Sequence, residues 1–189
     1  SAFILPTRPR KTAAAYQSIW TDRGSPLIAH TNDVADALRE RTGAPTITGM
    51  RYGEPPLAKA INELSGVDEI VLIALYPQHA DSTRTTTIEH AVTIAGQEIR
   101  VLPPWYDQPG YIAALAEHVR TNLPSDADHL LLSYHGLPER HLTRADPTGT
   151  HCLATDDCCE TDSPAHATCY RHQCRVTTRL LSAELEIST

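Results

Sequence analysis

Residues 130–140 read LLLSYHGLPER, a run of leucines that closes on Ser133, Tyr134, His135 and Gly136 before Pro138. Apolar residues that end in a polar cluster and then in Gly and Pro are how a central strand of a parallel sheet delivers side chains to the rim of the sheet. That reading makes His135 the first candidate functional residue. It also decides the fold, because such a strand needs helices over its faces and crossover connections to its parallel neighbours.

Outward from this stretch, further apolar runs of strand length fall at 46–50 (TITGM), 69–75 (EIVLIAL) and 99–102 (IRVL), and the opening run itself is bounded as 129–133. The second and fourth are dense enough in Val, Ile and Leu to be central strands. Between them lie helix-length stretches at 56–64, 82–95 and 110–122, the last with Ile112, Leu115 and Val119 at spacings of three and four. Two earlier helices are expected at 12–20 and 32–41, the second capped by Asn32 or Thr31 and stopped by Gly43. Strands alternating with helices predict an α/β, doubly wound parallel sheet with right-handed connections.

The 189 residues suit one domain, here taken as 1–189, and can bury a core of their own. A net charge of −7 with acidic and basic residues interspersed excludes nucleic acid as the expected partner. No apolar run has membrane-spanning length, nothing signals a membrane partner, and the start SAFILPTRPRK lacks the order of an export signal, so the cytoplasm is the expected compartment. The chain begins with Ser1 and its one methionine is Met50, which reads as an excerpt of a longer protein; residues 3–9 look like the tail of a preceding element.

Ligands of such a sheet sit outside the carboxyl ends of its strands. The residues there are Arg51, Tyr52, Gly53 and Glu54 after the first run; Tyr76, Pro77, Gln78 and His79, then Ser82, Thr83 and Arg84, after the second; Trp105 after the third; and Tyr134 and His135 after the fourth. Hydroxylated aromatics, a few hydrogen-bonding groups and one imidazole describe a wall for a flat, largely apolar ligand. No glycine-rich phosphate loop argues otherwise. A lone histidine at a strand end is more often structural than catalytic, and His79, His118, His141 and His151 read as surface residues. Ser133 and His135 do not make a hydrolase, since no Gly-x-Ser-x-Gly elbow accompanies them.

What raises His135 above that background is a resemblance. The stretch LLLSYHGLPERHLTRADP (130–147) resembles the motif of the ferrochelatases, which insert Fe2+ into a porphyrin at the end of haem synthesis. ILPTRPRKTAAAYQSIW (4–20), GSPLIAHT (24–31), GMRYGEPPLAKAINEL (49–64), ALYPQHADSTRTTT (74–87) and CYRHQCRVTTRLL (169–181) are similar to further segments of that family. Two departures stand out: Arg144-Ala145 replaces a Gly before the Asp, and about twenty residues separate Asp146 from Tyr170, where many members join the two directly. The resemblance implies a Rossmann-like chelatase half-domain, the amino-terminal half of a two-lobed enzyme whose carboxy-terminal half would supply the acid opposite the catalytic histidine. It implies protoporphyrin IX or coproporphyrin III as partner and Fe2+ as the metal substrate. His135 takes the catalytic role by this resemblance, as proton acceptor or Fe2+ ligand. Tyr76 and Pro77 are expected against the macrocycle, with Tyr52, Arg51, Gln78, Ser82 and Thr83 at its edge and Arg84 on a propionate.

The second constellation is HCLATDDCCETDSPAHATCYRHQC (151–174), which holds all five cysteines, Cys152, Cys158, Cys159, Cys169 and Cys174, in a cysteine-rich loop inserted at 147–174. An odd number of clustered thiols in a reducing compartment points to metal and away from disulfides. The spacing lacks the paired CxxC of a zinc ribbon, while four loop thiolates can enclose a [2Fe-2S] cluster without it. Some bacterial ferrochelatases carry such a cluster on internal ligands, which agrees with the insertion. Cys152, Cys169 and Cys174 are the safer ligands, at most one of the adjacent Cys158 and Cys159 is expected to join them, and His151, His166 and His172 remain substitutes. The competing reading is a non-catalytic α/β module whose loop binds zinc and whose rim binds a tetrapyrrole or a protein passively.

Overall fold

A computed structural model describes residues 8–187, so that part of the proposed tail, 3–7, lies outside the described residues. The chain divides into two compact units, Ser1–Asp68 and Glu69–Thr189.

The first unit carries α1 (Arg8–Gln17), α2 (Pro26–Thr42) and α3 (Leu57–Glu63). Helix α2 starts six residues before the expected 32–41, because Pro26 occupies the first turn, where its missing N–H costs nothing. Thr31 is therefore no cap: its hydroxyl donates to the Leu27 carbonyl within the helix at 2.7 Å. The expected stop holds, since Gly43 adopts φ 69 and its N–H closes on the Arg39 carbonyl. The expected strand 46–50 is reduced to one parallel bridge between Met50 and Pro56. The Met50 N–H goes to the Pro55 carbonyl and the Met50 carbonyl accepts from Leu57 N–H, so this segment closes locally on the entry to α3 and builds no ladder. Gly49 is required there: a Cβ would lie 3.0 Å from the Leu57 Cα and the Ala60 Cβ.

The second unit contains the α/β core. Strand β1 (Ile70–Leu72) pairs in parallel with β2 (Ile99–Val101), with Ile70 opposite Ile99 and Leu72 opposite Val101. The crossover is a π-helical turn, Asp81–Thr85, running into α4 (Thr86–Ala95), which ends at Gly96 with φ 62. Helices α5 (Pro109–Asn122) and α7 (Tyr170–Glu184) pack on each other, burying Ile112, Ala116 and Leu181. Between them come α6 (Glu139–Ala145) and a 3-10 turn, Pro164–Ala167.

Segment 129–133 forms no strand among the described residues. Leu131 is 88% exposed, so the run has the composition of a central strand without the neighbours that would make it one. The α/β class and the parallel crossover are as expected. Among the described residues the sheet has two strands where four apolar runs predict four.

Candidate functional site

The wall after β1 is an irregular segment held by tethers from other elements. Trp105, past β2, donates its N–H to the Pro77 carbonyl at 3.0 Å and its indole N–H to the Ala74 carbonyl at 3.1 Å. Gln78 donates to the Thr177 hydroxyl on α7 at 3.1 Å, and the His79 N–H donates to Gln173 Oε1 at 2.6 Å. Tyr76 stays partly exposed, as do Pro77 and Gln78, while Ser82 and Thr83 sit on the π-helical turn. Arg84 lies differently from its expected role. It is buried, it donates to the Leu102 carbonyl, and its Nη1 has no partner, so it presents no charge to a propionate at the rim. Burial also lowers its pKa. His79 is not a free surface residue either: its ring is half-buried with Nε2 3.2 Å from Asp81. In the first unit Tyr52 is exposed with the Arg51 guanidinium 4.6 Å from its ring centroid, a cation–π pair.

His135 lies at the mouth of a cleft of about 730 Å³ whose lining includes Leu130, Leu132, Tyr134, Tyr170, Cys174 and Thr178. One side comes from the 130–137 run and the other from α7, because Tyr170, Cys174 and Thr178 follow at spacings of four and share one face of that helix. Tyr134 shares a hydrogen bond of 3.0 Å with Thr178. The Tyr170 phenol lies against the Cys174 thiol and the main chain of His135; burial, and then the thiol, push it up to about 12. Burial likewise pushes Cys174 up to about 11.

The cysteine-rich loop is built around Asp146. One carboxylate oxygen accepts from the N–H and hydroxyl of Thr148 at 2.8 and 2.7 Å, and the other from the N–H groups of His151 and Cys152, both at 2.8 Å. The Cys152 N–H, followed by the Thr148 and His151 bonds, holds this carboxyl far below the usual carboxylate range despite burial. Thr168 closes the loop by donating to the Ala145 carbonyl at 2.6 Å.

Inside it Cys152, Cys158, Cys159 and Cys169 are buried together around Ala165, with no disulfide among them. Both members of the adjacent pair belong to this group. Cys174 is also buried and lines the His135 cleft. Burial, and then the neighbouring Cys169, push the Cys152 and Cys159 thiols well above their ordinary value. The three histidines each spend one ring nitrogen on the backbone of the pair: His151 and His166 reach the Cys158 carbonyl at 2.6 and 3.0 Å, and His172 the Cys159 carbonyl at 2.6 Å. His166 and His172 stack with centroids 3.6 Å apart. His151 is thus a structural member of the loop and not a surface residue.

Sequence reasoning missed Asp146, Tyr170, Gln173 and Thr177. The four-residue spacings on α7 were an available signal; nothing local marked Asp146 as the centre of a hydrogen-bond array.

The family model for ferrochelatase matches residues 1–189. Relatives named ferrochelatase include one from Pseudomonas fluorescens (strain Pf0-1), 46% identical over 97% of this chain and 57% of its own length. A second, from Ectopseudomonas mendocina (strain ymp), is 48% identical over 97% of this chain and 55% of its own. A third, from Pseudomonas syringae pv. tomato, is 49% identical over 92% and 53%. The chain thus spans about half the length of the curated relatives it matches.

Proposed function

The chain belongs to the ferrochelatase family, and on that premise we propose that it forms the amino-terminal lobe of an enzyme inserting Fe2+ into a porphyrin, protoporphyrin IX or coproporphyrin III. The carboxy-terminal half of the same enzyme would close the cleft and supply an opposing acid. The observation that carries this reading is His135, exposed at the mouth of a cleft walled by leucines and tyrosines, within the motif that resembles the family's own.

Insertion requires the macrocycle to be bent, the metal to approach one face, and two pyrrole protons to leave. An imidazole can accept a proton or ligate Fe2+, and His135 has the access for either. Tyr76, Pro77, Gln78, Ser82 and Thr83 form the macrocycle wall in this scheme. The cytoplasm is the proposed compartment; no helix among the described residues is long and apolar enough to cross a membrane.

The buried set Cys152, Cys158, Cys159 and Cys169 supplies four thiols, the number a [2Fe-2S] centre takes. A [2Fe-2S] centre takes its sulfurs as two pairs, one on each iron. Such a group would add a cross-link to a loop that Asp146 already closes.

The test is His135→Ala in the full-length protein. Iron insertion should fall by about 10²–10⁴-fold, the range of a lost acid–base group, while porphyrin binding is largely kept. Near-normal turnover would remove His135 from the chemistry.

A further inference from the structure

Gln173 is a large, fully buried polar side chain, in a helix face that otherwise meets the core through Cys174, Thr177 and Leu181. A buried amide persists only where its hydrogen-bonding groups are matched, and here they are. Its oxygen accepts from the His79 N–H at 2.6 Å, and its nitrogen donates to the carbonyls of His166 at 3.1 Å and Ala167 at 3.0 Å. Two carbonyls on one side and an N–H on the other admit only this orientation of the amide.

The partners belong to two regions that meet across α7. His79 ends the wall segment that carries Tyr76, Pro77 and Gln78; His166 and Ala167 form the 3-10 turn of the cysteine-rich loop. Beyond β1 the wall has no ladder to shape it. Of its three tethers at Pro77, Gln78 and His79, the last two come from α7, through Thr177 and Gln173. Thr177 in turn bonds the Tyr106 carbonyl at 2.9 Å, which keeps its hydroxyl in place for Gln78.

We propose that Gln173 is a positioning residue that sets the porphyrin wall by reference to the cysteine-rich loop, so that the loop's closed form and the wall's binding geometry are one arrangement. The inference rests on the reading of 76–83 as the porphyrin wall. Gln173 itself touches no substrate. Without its oxygen the His79 N–H is left unpaired, the Tyr76–Gln78 segment loses its fixed end, and porphyrin affinity falls while the metal's approach to His135 is unchanged.

The experiment compares wild type, Gln173→Met, Thr177→Val and Tyr76→Ala in the full-length protein. Porphyrin Kd is read from fluorescence quenching, and KM is measured separately for porphyrin and Fe2+. Gln173→Met should weaken porphyrin about tenfold in Kd and KM, as expected for one buried unpaired donor, and leave the Fe2+ KM within about twofold. Thr177→Val should move the same two quantities in the same direction by less, and it carries the test if Gln173→Met does not fold. A merely structural role predicts a lower Tm and a smaller active fraction with both KM values unmoved, and that outcome overturns the proposal. Failure of the underlying reading of the wall is separate: Tyr76→Ala then leaves the porphyrin Kd unmoved, whatever Gln173→Met does to porphyrin binding.

Discussion

Segment 129–137 and the loop 146–169 behave opposite to their compositions. The first is leucine-rich, yet Leu131 is exposed and no ladder forms. The second is rich in Asp and Thr, yet its four cysteines are buried and much of its backbone is hydrogen-bonded within it. Apolar side chains bury only against neighbours, whereas a polar segment can close on itself if one group satisfies several backbone donors at once. Asp146 does this with both oxygens, and the three histidines cover the Cys158 and Cys159 carbonyls.

The sharpest way to break this comparison is at the thiols. If the loop holds a [2Fe-2S] centre on the buried set, Cys158→Ser, Cys159→Ser and Cys169→Ser should each abolish the visible absorption of anaerobically purified protein, and Cys174→Ser should retain it. Loss of colour in Cys174→Ser alone, or one zinc per chain in the native protein, would return the ligand assignment to open choice.

A smaller effect is expected from the loop's internal carboxylate. Because the Asp146 pKa is lowered in the folded loop, its contribution is present above the ordinary carboxyl value of 3.8 and is lost only as pH falls through the lower folded value. The buried thiols act at the other end. Raised in the folded form, they leave the metal-free loop fully stable below their ordinary value of 9.0 and weaken it as pH rises toward their folded values. Metal-free protein should therefore resist Asp- and Glu-directed proteases between these limits. Asp146→Asn should be cut within 146–169 about tenfold faster at neutral pH, since one amide oxygen cannot serve four donors. Equal cleavage rates for the two proteins would show that the loop is ordered by something else.

The smallest effect belongs to the apolar segment. Leu131→Gln should change the stability of this 189-residue chain by no more than about 0.5 kcal/mol, the range of an exposed site. A clear loss of Tm by thermal melt would mean that Leu131 is covered in solution and that the segment resembles a central strand after all.

Much of the molecule was legible beforehand. The crossover from 69–75 to 99–102, the helix at 110–122 and the stop at Gly43 rest on periodicity and chain conformation within a few residues, and they appear nearly as expected. The runs 46–50 and 129–133 misled because strand composition is necessary for a ladder and not sufficient: a strand also needs a partner, and that is not a local property. Arg84 misled in the same way, since a charge at a rim position can still turn inward to a carbonyl.

By itself the sequence determined the α/β alternation, the place of His135 at the end of an apolar run, and a cysteine-dense insertion that calls for a constraint. Only the tertiary structure decided which cysteines share a buried site, and that Gln173 bonds an amide 94 positions away. The physical reason is the range of the interactions. Helix and turn preferences act over three or four residues, whereas the phase of α7 against the wall and the loop is set by packing between segments far apart in the chain, which no local pattern encodes.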